Sequence, residues 1–282
     1  MSTIDQFESV FRSAISPTYE PRPFPLQRVL LVSDMDGEEE KTYLQEAERF
    51  FSGLTSPPKI TSLQTELSLK IPTLVEQVEQ LKPDLIVTYR NLHNEVAEHT
   101  YTLGDHVEVL TQVTDSPILL FPHPHSWSTD RFRAPGRVMV LTDHLVEHPH
   151  LIDAALSMLQ SPGQLTLAHV EDEVTFQRYI KYISKIPEID TDRARELIKS
   201  QMLGEAKRFI HLTEETLKQQ SLSVSIHSEV HMGHRLQSYA ELVKNHHIEL
   251  VVMQTKDEDQ VAMHGLSYPL AVELNHTPLL ML

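Results

Sequence analysis

Apolar residues in this chain come in short unbroken runs rather than in alternation. The clearest are 28–34 (RVLLVSD), 83–90 (PDLIVTYR), 115–121 (DSPILLF), 137–143 (RVMVLTD), 248–256 (IELVVMQTK) and 276–282 (HTPLLML). Runs of this length read as strands covered on both faces, the habit of parallel sheets. Two further strands are expected at 164–170 (QLTLAHV) and 222–228 (LSVSIHS). Between the runs the period changes to that of amphipathic helices, at 69–82, 104–113, 234–246 and 266–275. A longer helix is expected over 191–219, with Thr191 or Asp192 as N-cap and Leu197, Met202, Phe209 and Leu212 among its apolar positions.

The runs repeat in order. Arg28 to Asp34 and Arg137 to Asp143 are nearly the same phrase, 109 residues apart. The segments 83–90 and 248–256 match, each after a helix. So do 115–121 and 276–282, each with a proline at the first strand position, where a missing N–H is tolerated. Repeats in register are an organisational signal. From Asp84 to Glu249 the spacing grows to 165, so the second copy carries 56 extra residues, one strand plus one helix. The expected plan is a first unit over 28–121, short of one βα unit, and a second over 137–282. The seam at 122–136 is rich in Pro and Gly and reads as a linker. Residues 1–27 form an extension with Ile4, Phe7, Val10 and Phe11 on one side of a short helix. That face needs a partner, either the chain itself or a neighbouring protomer. Alternating strands and helices imply an α/β fold of two tandem open parallel sheets with right-handed crossovers, expected to pack on each other by pseudo-two-fold symmetry. The last strand of each unit would be an apolar edge, inviting pairing between the halves or between chains.

Composition narrows the function. The 282 residues include 24 Lys+Arg against 40 Asp+Glu, a net charge of −16. An acidic chain suits neither phosphate backbones nor anionic membranes, so nucleic acid and membrane surfaces are not expected partners. There is no cysteine, which removes disulfides, thiol catalysis and thiolate metal sites. The first residues lack a basic n-region and a long apolar run, so a signal peptide is not expected. No run reaches the ~20 residues of a membrane helix. A cytoplasmic location is the expectation.

Two units of this order, each with Asp closing the first strand and an x-x-Pro-x-Leu-x-x phrase closing the last, resemble the tandem universal stress protein family. The resemblance covers about 28–121 and 137–282. It implies an adenine nucleotide alpha hydrolase-like fold and, in many members, ATP binding. The positions it assigns to the nucleotide are Asp34 and Asp143, with Gly104 and Gly265 from a glycine-rich loop whose Ser/Thr caps the next helix. That loop is degenerate here. Asp105 stands at the Ser/Thr position of the first copy, where a carboxylate repels phosphate and makes a good N-cap. In the second copy Leu266 follows Gly265, Ser267 falls one residue late, and Lys256-Asp257-Glu258-Asp259 is acidic.

Asp34-Met35-Asp36-Gly37 also resembles the first motif of the haloacid dehalogenase phosphatases, with Asp34 as nucleophile and Asp36 as acid/base. Thr88 would supply the second motif. The lysine is missing, since none lies between Lys82 and Lys181, and Glu38 stands where the motif has Thr. The duplicate strand keeps Asp143 but has Leu145 in place of Asp36. Asp36-Gly37 therefore reads as a βα turn before a helix that opens Glu38-Glu39-Glu40.

No G-x-S-x-G or G-x-G-x-x-G pattern occurs. Five of the 17 histidines crowd the seam: His123, His125, His144, His148 and His150. Imidazoles ligate zinc, so these are the metal candidates, although no metal is assigned. His246-His247 suits a helix C-terminus. The tract 171–192 reads as a long charged βα loop, either solvated or a lid over a pocket at the strand ends. The sequence thus points to a non-catalytic regulatory or stress-response binding protein with degenerate ATP loops. ATP binding through divergent contacts is the alternative, and the phosphatase the least favoured one. Its ligand would be a small molecule or a protein. The chain would be a monomer closed as an internal pseudo-dimer, or a homodimer.

Overall fold

The computed structural model describes residues 19–54, 56–65, 70–93, 101–124, 133–141, 148–220, 222–255, 263 and 265–282. Among the described residues there are nine strands, β1 (Arg28–Ser33), β2 (Lys59–Gln64), β3 (Leu85–Tyr89), β4 (Ile118–Phe121), β5 (Arg137–Leu141), β6 (Gly163–Asp172), β7 (Val224–Gly233), β8 (Leu250–Met253) and β9 (Leu279–Met281). The helices are α1 (Gly37–Ser52), α2 (Ile71–Leu81), α3 (Asp105–Val113), α4 (His150–Met158), α5 (Glu173–Ile183), α6 (Thr191–Gln219), α7 (Arg235–Asn245) and α8 (Ser267–Glu273).

All nine strands form one sheet, in the order β2-β1-β3-β4-β9-β8-β5-β6-β7. The fold is α/β and parallel within each half, as the unbroken apolar runs imply. The two sheets are not stacked on one another, however. They fuse edge to edge where β4 and β9 pair antiparallel, with Ile118 opposite Met281 and Leu119 opposite Leu280. The reason is the one that makes apolar edges costly: each end strand carries unpaired backbone groups, and each satisfies the other's. Every residue of β4 and β9 is buried.

The central strands β1, β3, β5 and β8 are almost wholly buried, whereas β2 and β7, at the two ends of the sheet, are half exposed. Lys59–Gln64 carries only Ile60 and Leu63 as apolar residues, so no run marks it. It pairs with β1 as β6 pairs with β5. The unit that the first half lacks is therefore the outermost one, the counterpart of α5, α6 and β7.

The tract 171–192 is not a long loop. Glu171 and Asp172 end β6. Asp172 caps α5 by accepting from the N–H of Thr175 at 2.8 Å, and Phe176 and Ile180 bury the face of α5, one turn apart. The cap of α6 is Asp190, not Thr191 or Asp192: its carboxylate accepts from Asp192 and Arg193 at 3.1 Å each. The apolar helix expected near Ile4 lies outside the described residues. Within the same extension, Tyr19 packs on the chain's own second half: it is buried, and its hydroxyl donates to Asp153 of α4 at 2.6 Å.

Candidate functional site

In an open α/β sheet, ligands gather where strands end. Because β4 and β9 run antiparallel, the carboxyl ends of the two halves lie on opposite edges of the sheet. There are thus two candidate places.

In the first half, Asp34 follows β1 and is hemmed in by the turn after β3. Its Oδ1 accepts the hydroxyl of Tyr89 in a short hydrogen bond, and its Oδ2 accepts the backbone N–H of His93 at 2.6 Å. The N–H of Asp34 in turn donates to the Tyr89 oxygen at 3.1 Å. Burial, then the hydrogen bond to Asp34, pushes the Tyr89 phenol well above its ordinary range. Tyr43 packs edge-on to Tyr89 at 5.4 Å, and burial raises its phenol too. The turn itself is strained: Asn91 and His93 both take positive φ, 57° and 66°. The His93 ring lies 4.8 Å from that of His106.

Gly104 closes the same place. Its φ is 92°, and a Cβ there would stand 2.8 Å from the Cα of Asn91. Glycine is therefore demanded by the chain's own packing. Gly104 is the N-cap of α3, and Asp105 is the first helical residue rather than the cap; its charge still suits the positive end of the helix. Asp36 sits at the N-cap of α1 with Gly37 at φ 55°, so the second aspartate marks a βα turn as expected. Thr88 is buried inside the sheet.

In the second half, Asp143 lies outside the described residues. Ser267 is buried, and its hydroxyl donates to the carbonyl of Gln254 at 2.6 Å. Gly265 has φ 22° and, unlike Gly104, no described atom within 4 Å of a Cβ placed on it. The seam histidines divide between the halves. His123 faces Tyr89 edge-on at 6.1 Å. His148 and His150 pair at 5.7 Å, and His150 Nε2 lies 2.9 Å from Gln254 Oε1. His125 and His144 lie outside the described residues.

Two contacts tie the halves together beside these places. Arg90, buried after β3, reaches the carbonyl of Leu274 at the end of α8 at 3.2 Å, and burial lowers its pKa to about 10. Tyr268 of α8 donates to Glu108 of α3 at 2.8 Å. A groove of about 960 Å³ opens on the other side of the second half, where Leu236, Ala240, Val243, Ile248, Leu274 and Pro278 form its apolar wall. Neither Asp34, Gly104 nor Gly265 lines it.

The sequence named Asp34 and Gly104 as nucleotide positions but did not name Tyr89, His93 or Asn91, which the fold packs against those two residues. Tyr89 had one usable signal, a polar aromatic ending an otherwise apolar strand.

No protein-family model and no curated protein matches this sequence. Solved structures do. A universal stress protein from Archaeoglobus fulgidus is similar over 92% of this chain and 97% of its own, with a TM-score of 0.53 at 13% identity. A functionally unknown protein from Pseudomonas aeruginosa is similar over 100% of this chain and 88% of its own, with a TM-score of 0.50 at 10% identity. The chain has a universal stress protein-like fold. Among the described residues, no helix is long and apolar enough to cross a membrane.

Proposed function

We propose that this chain is a non-catalytic regulatory or stress-response binding protein of the universal stress protein kind, whose first nucleotide position is engaged by the chain's own groups. One observation carries the reading: both oxygens of Asp34 are engaged, by the Tyr89 hydroxyl and the His93 N–H. Each oxygen of the carboxylate already holds an internal donor, so a ribose hydroxyl or a phosphorus would have to compete with those bonds for the lone pairs that remain. The tight fit of Gly104 on Asn91 supports the same reading, because the Cβ face of that glycine is already occupied by the chain's own backbone. The protein would be cytoplasmic, and the pairing of β4 with β9 would stand in for a dimer contact, leaving a monomer with an internal pseudo-dimer. Its ligand would be a small molecule or another protein.

A second reading is favoured by Gly265. The described surroundings leave its backbone open, so the second half could still take ATP beside Asp143 through divergent contacts.

Calorimetric titration of the full chain with Mg-ATP tests both. The proposal expects no saturable heat up to millimolar nucleotide. Micromolar binding lost in Asp143→Ala would overturn it in favour of the second reading. Binding lost in Asp34→Ala would refute the internally engaged first position. Phosphomonoester turnover abolished by Asp34→Asn would restore the phosphatase alternative.

A further inference from the structure

The outer edge of the second half carries a different arrangement. In a strand, residues two apart share a face. Val224, Ile226 and Val230 of β7 pack toward the core, so His227 and Glu229 share the opposite face. Helix α7 ends at Asn245, with His246 as its C-cap. His227 Nε2 lies 3.0 Å from Glu229 Oε1, and His246 Nε2 lies 3.0 Å from that same oxygen. The two rings stand 4.9 Å apart at 51°. All three donor atoms lie within 4.8 Å of one another, and among the described residues no other group of three histidines or carboxylates is so arranged.

Taken alone, two imidazoles donating to one oxygen is a hydrogen-bond pattern. The convergence says more. Donors about 2.1 Å from a tetrahedral ion stand about 3.4 Å from each other, so the two imidazole–carboxylate separations of 3.0 Å need open by only a few tenths of an ångström. Two imidazoles and one carboxylate are the donor set of open zinc and related first-row sites, which keep the remaining positions for water. The scaffold is firm. Ten consecutive residue pairs between β6 and β7 fix His227 opposite Thr166 and Glu229 opposite Ala168. The cluster is also reachable: the His227 side chain is 45% exposed and those of Glu229 and His246 about a quarter. The acidity of the chain raises the local concentration of cations.

We propose that His227, Glu229 and His246 form a binding site for a divalent first-row transition ion, with water completing the coordination. The full chain titrated with Zn²⁺ should bind one equivalent saturably at this site. Glu229→Gln and His246→Ala should each weaken that binding at least about tenfold, the scale at which even supporting residues act on metal affinity. The double variant His227→Ala/His246→Ala should abolish it, and His148→Ala/His150→Ala should leave it unchanged. Co²⁺ should give the visible bands of a low-coordinate site in the wild type and lose them in Glu229→Gln. Zinc should raise the melting temperature of the wild type but not that of Glu229→Gln, with folding of the variant checked by far-UV circular dichroism. Saturable binding that ignores Glu229→Gln, or no saturable binding, would overturn the proposal.

Discussion

Asp84 holds Arg28 two ways and Gln27 a third at the amino ends of β1 and β3: its carboxylate accepts the Arg28 guanidinium at 2.9 Å and the backbone N–H groups of Arg28 and Gln27 at 2.8 and 3.0 Å. The second half repeats the device. Glu249 accepts the N–H of Gly136 and Arg137 at 2.6 and 3.1 Å and the Arg137 guanidinium at 3.3 Å. Each clamp pins the start of a half's first strand beside its neighbour. The guanidinium hydrogen bond, helped by the two backbone donors, holds the Asp84 carboxyl below its usual range. Its contribution is then complete above the ordinary carboxylate pKa near ~3.9 and lost as pH falls through the lower folded value. Asp84→Ala should cost roughly 1–2 kcal/mol, the low end for a charged hydrogen bond because Arg28 is largely exposed. Urea unfolding of the variant should also show a shallower loss of stability below about pH 4.

Tyr89→Phe should destabilise the chain by about 1–3 kcal/mol, since it strips the partly buried Asp34 of a donor without opening a cavity. The tyrosines make an alkaline prediction as well. Burial raises the phenols of Tyr19, Tyr43 and Tyr89. A raised folded value stabilises below the ordinary pKa of about 10 and is lost as pH rises beyond it. Ultraviolet titration should therefore find part of the tyrosine absorbance change delayed until the chain unfolds. A single smooth transition near the ordinary value would contradict this.

The sheet was legible wherever burial on both faces leaves an unbroken apolar run, as at Val29–Val32 or Leu250–Met253. Lys59–Gln64 escaped because an edge strand needs few apolar residues, and α5 because Glu171-Asp172-Glu173 drew the eye from the Phe176/Ile180 pair beyond it. The cap of α6 could not be chosen from Asp190-Thr191-Asp192, where every candidate is a capping type. The duplication foretold the apolar end strands and that they invite pairing, though not that each would pair with the other half, nor which unit was missing. Asp34 could be named from its place after β1. Its partners could not, because Tyr89 and His93 lie 55 and 59 residues away and leave no local pattern. His227, Glu229 and His246 escaped for the same reason: a strand and a helix end meet only in the folded sheet.

Gly104 and Gly265 share a place in the repeat and differ in surroundings, so they should differ in tolerance. Gly104→Ala forces a Cβ against the Asn91 backbone at an unfavourable φ, and should cost about 2–4 kcal/mol. Gly265→Ala meets no described atom and should cost about 1 kcal/mol. Denaturant midpoints of the two variants decide the matter. Equal costs would mean that the first-half turn yields more easily than its packing implies.

Leu119 and Leu280 sit opposite each other at the join of the halves, both fully buried in the middle of the sheet. Each truncation to Ala should cost about 2–5 kcal/mol. The pair should be coupled by about 0.5 kcal/mol or more in a double-mutant cycle, because they share a face across an antiparallel ladder. The larger consequence concerns cooperativity. Hydrogen bonds run without interruption from β2 to β7, and Arg90 and Tyr268 add bonds across the join. Neither half can shed the other without exposing an apolar edge strand. Calorimetric unfolding should therefore show one transition, with Leu119→Ala lowering it as a whole. Two separable transitions, only one of them moved by the substitution, would mean that β4 and β9 lie side by side without sharing their stability.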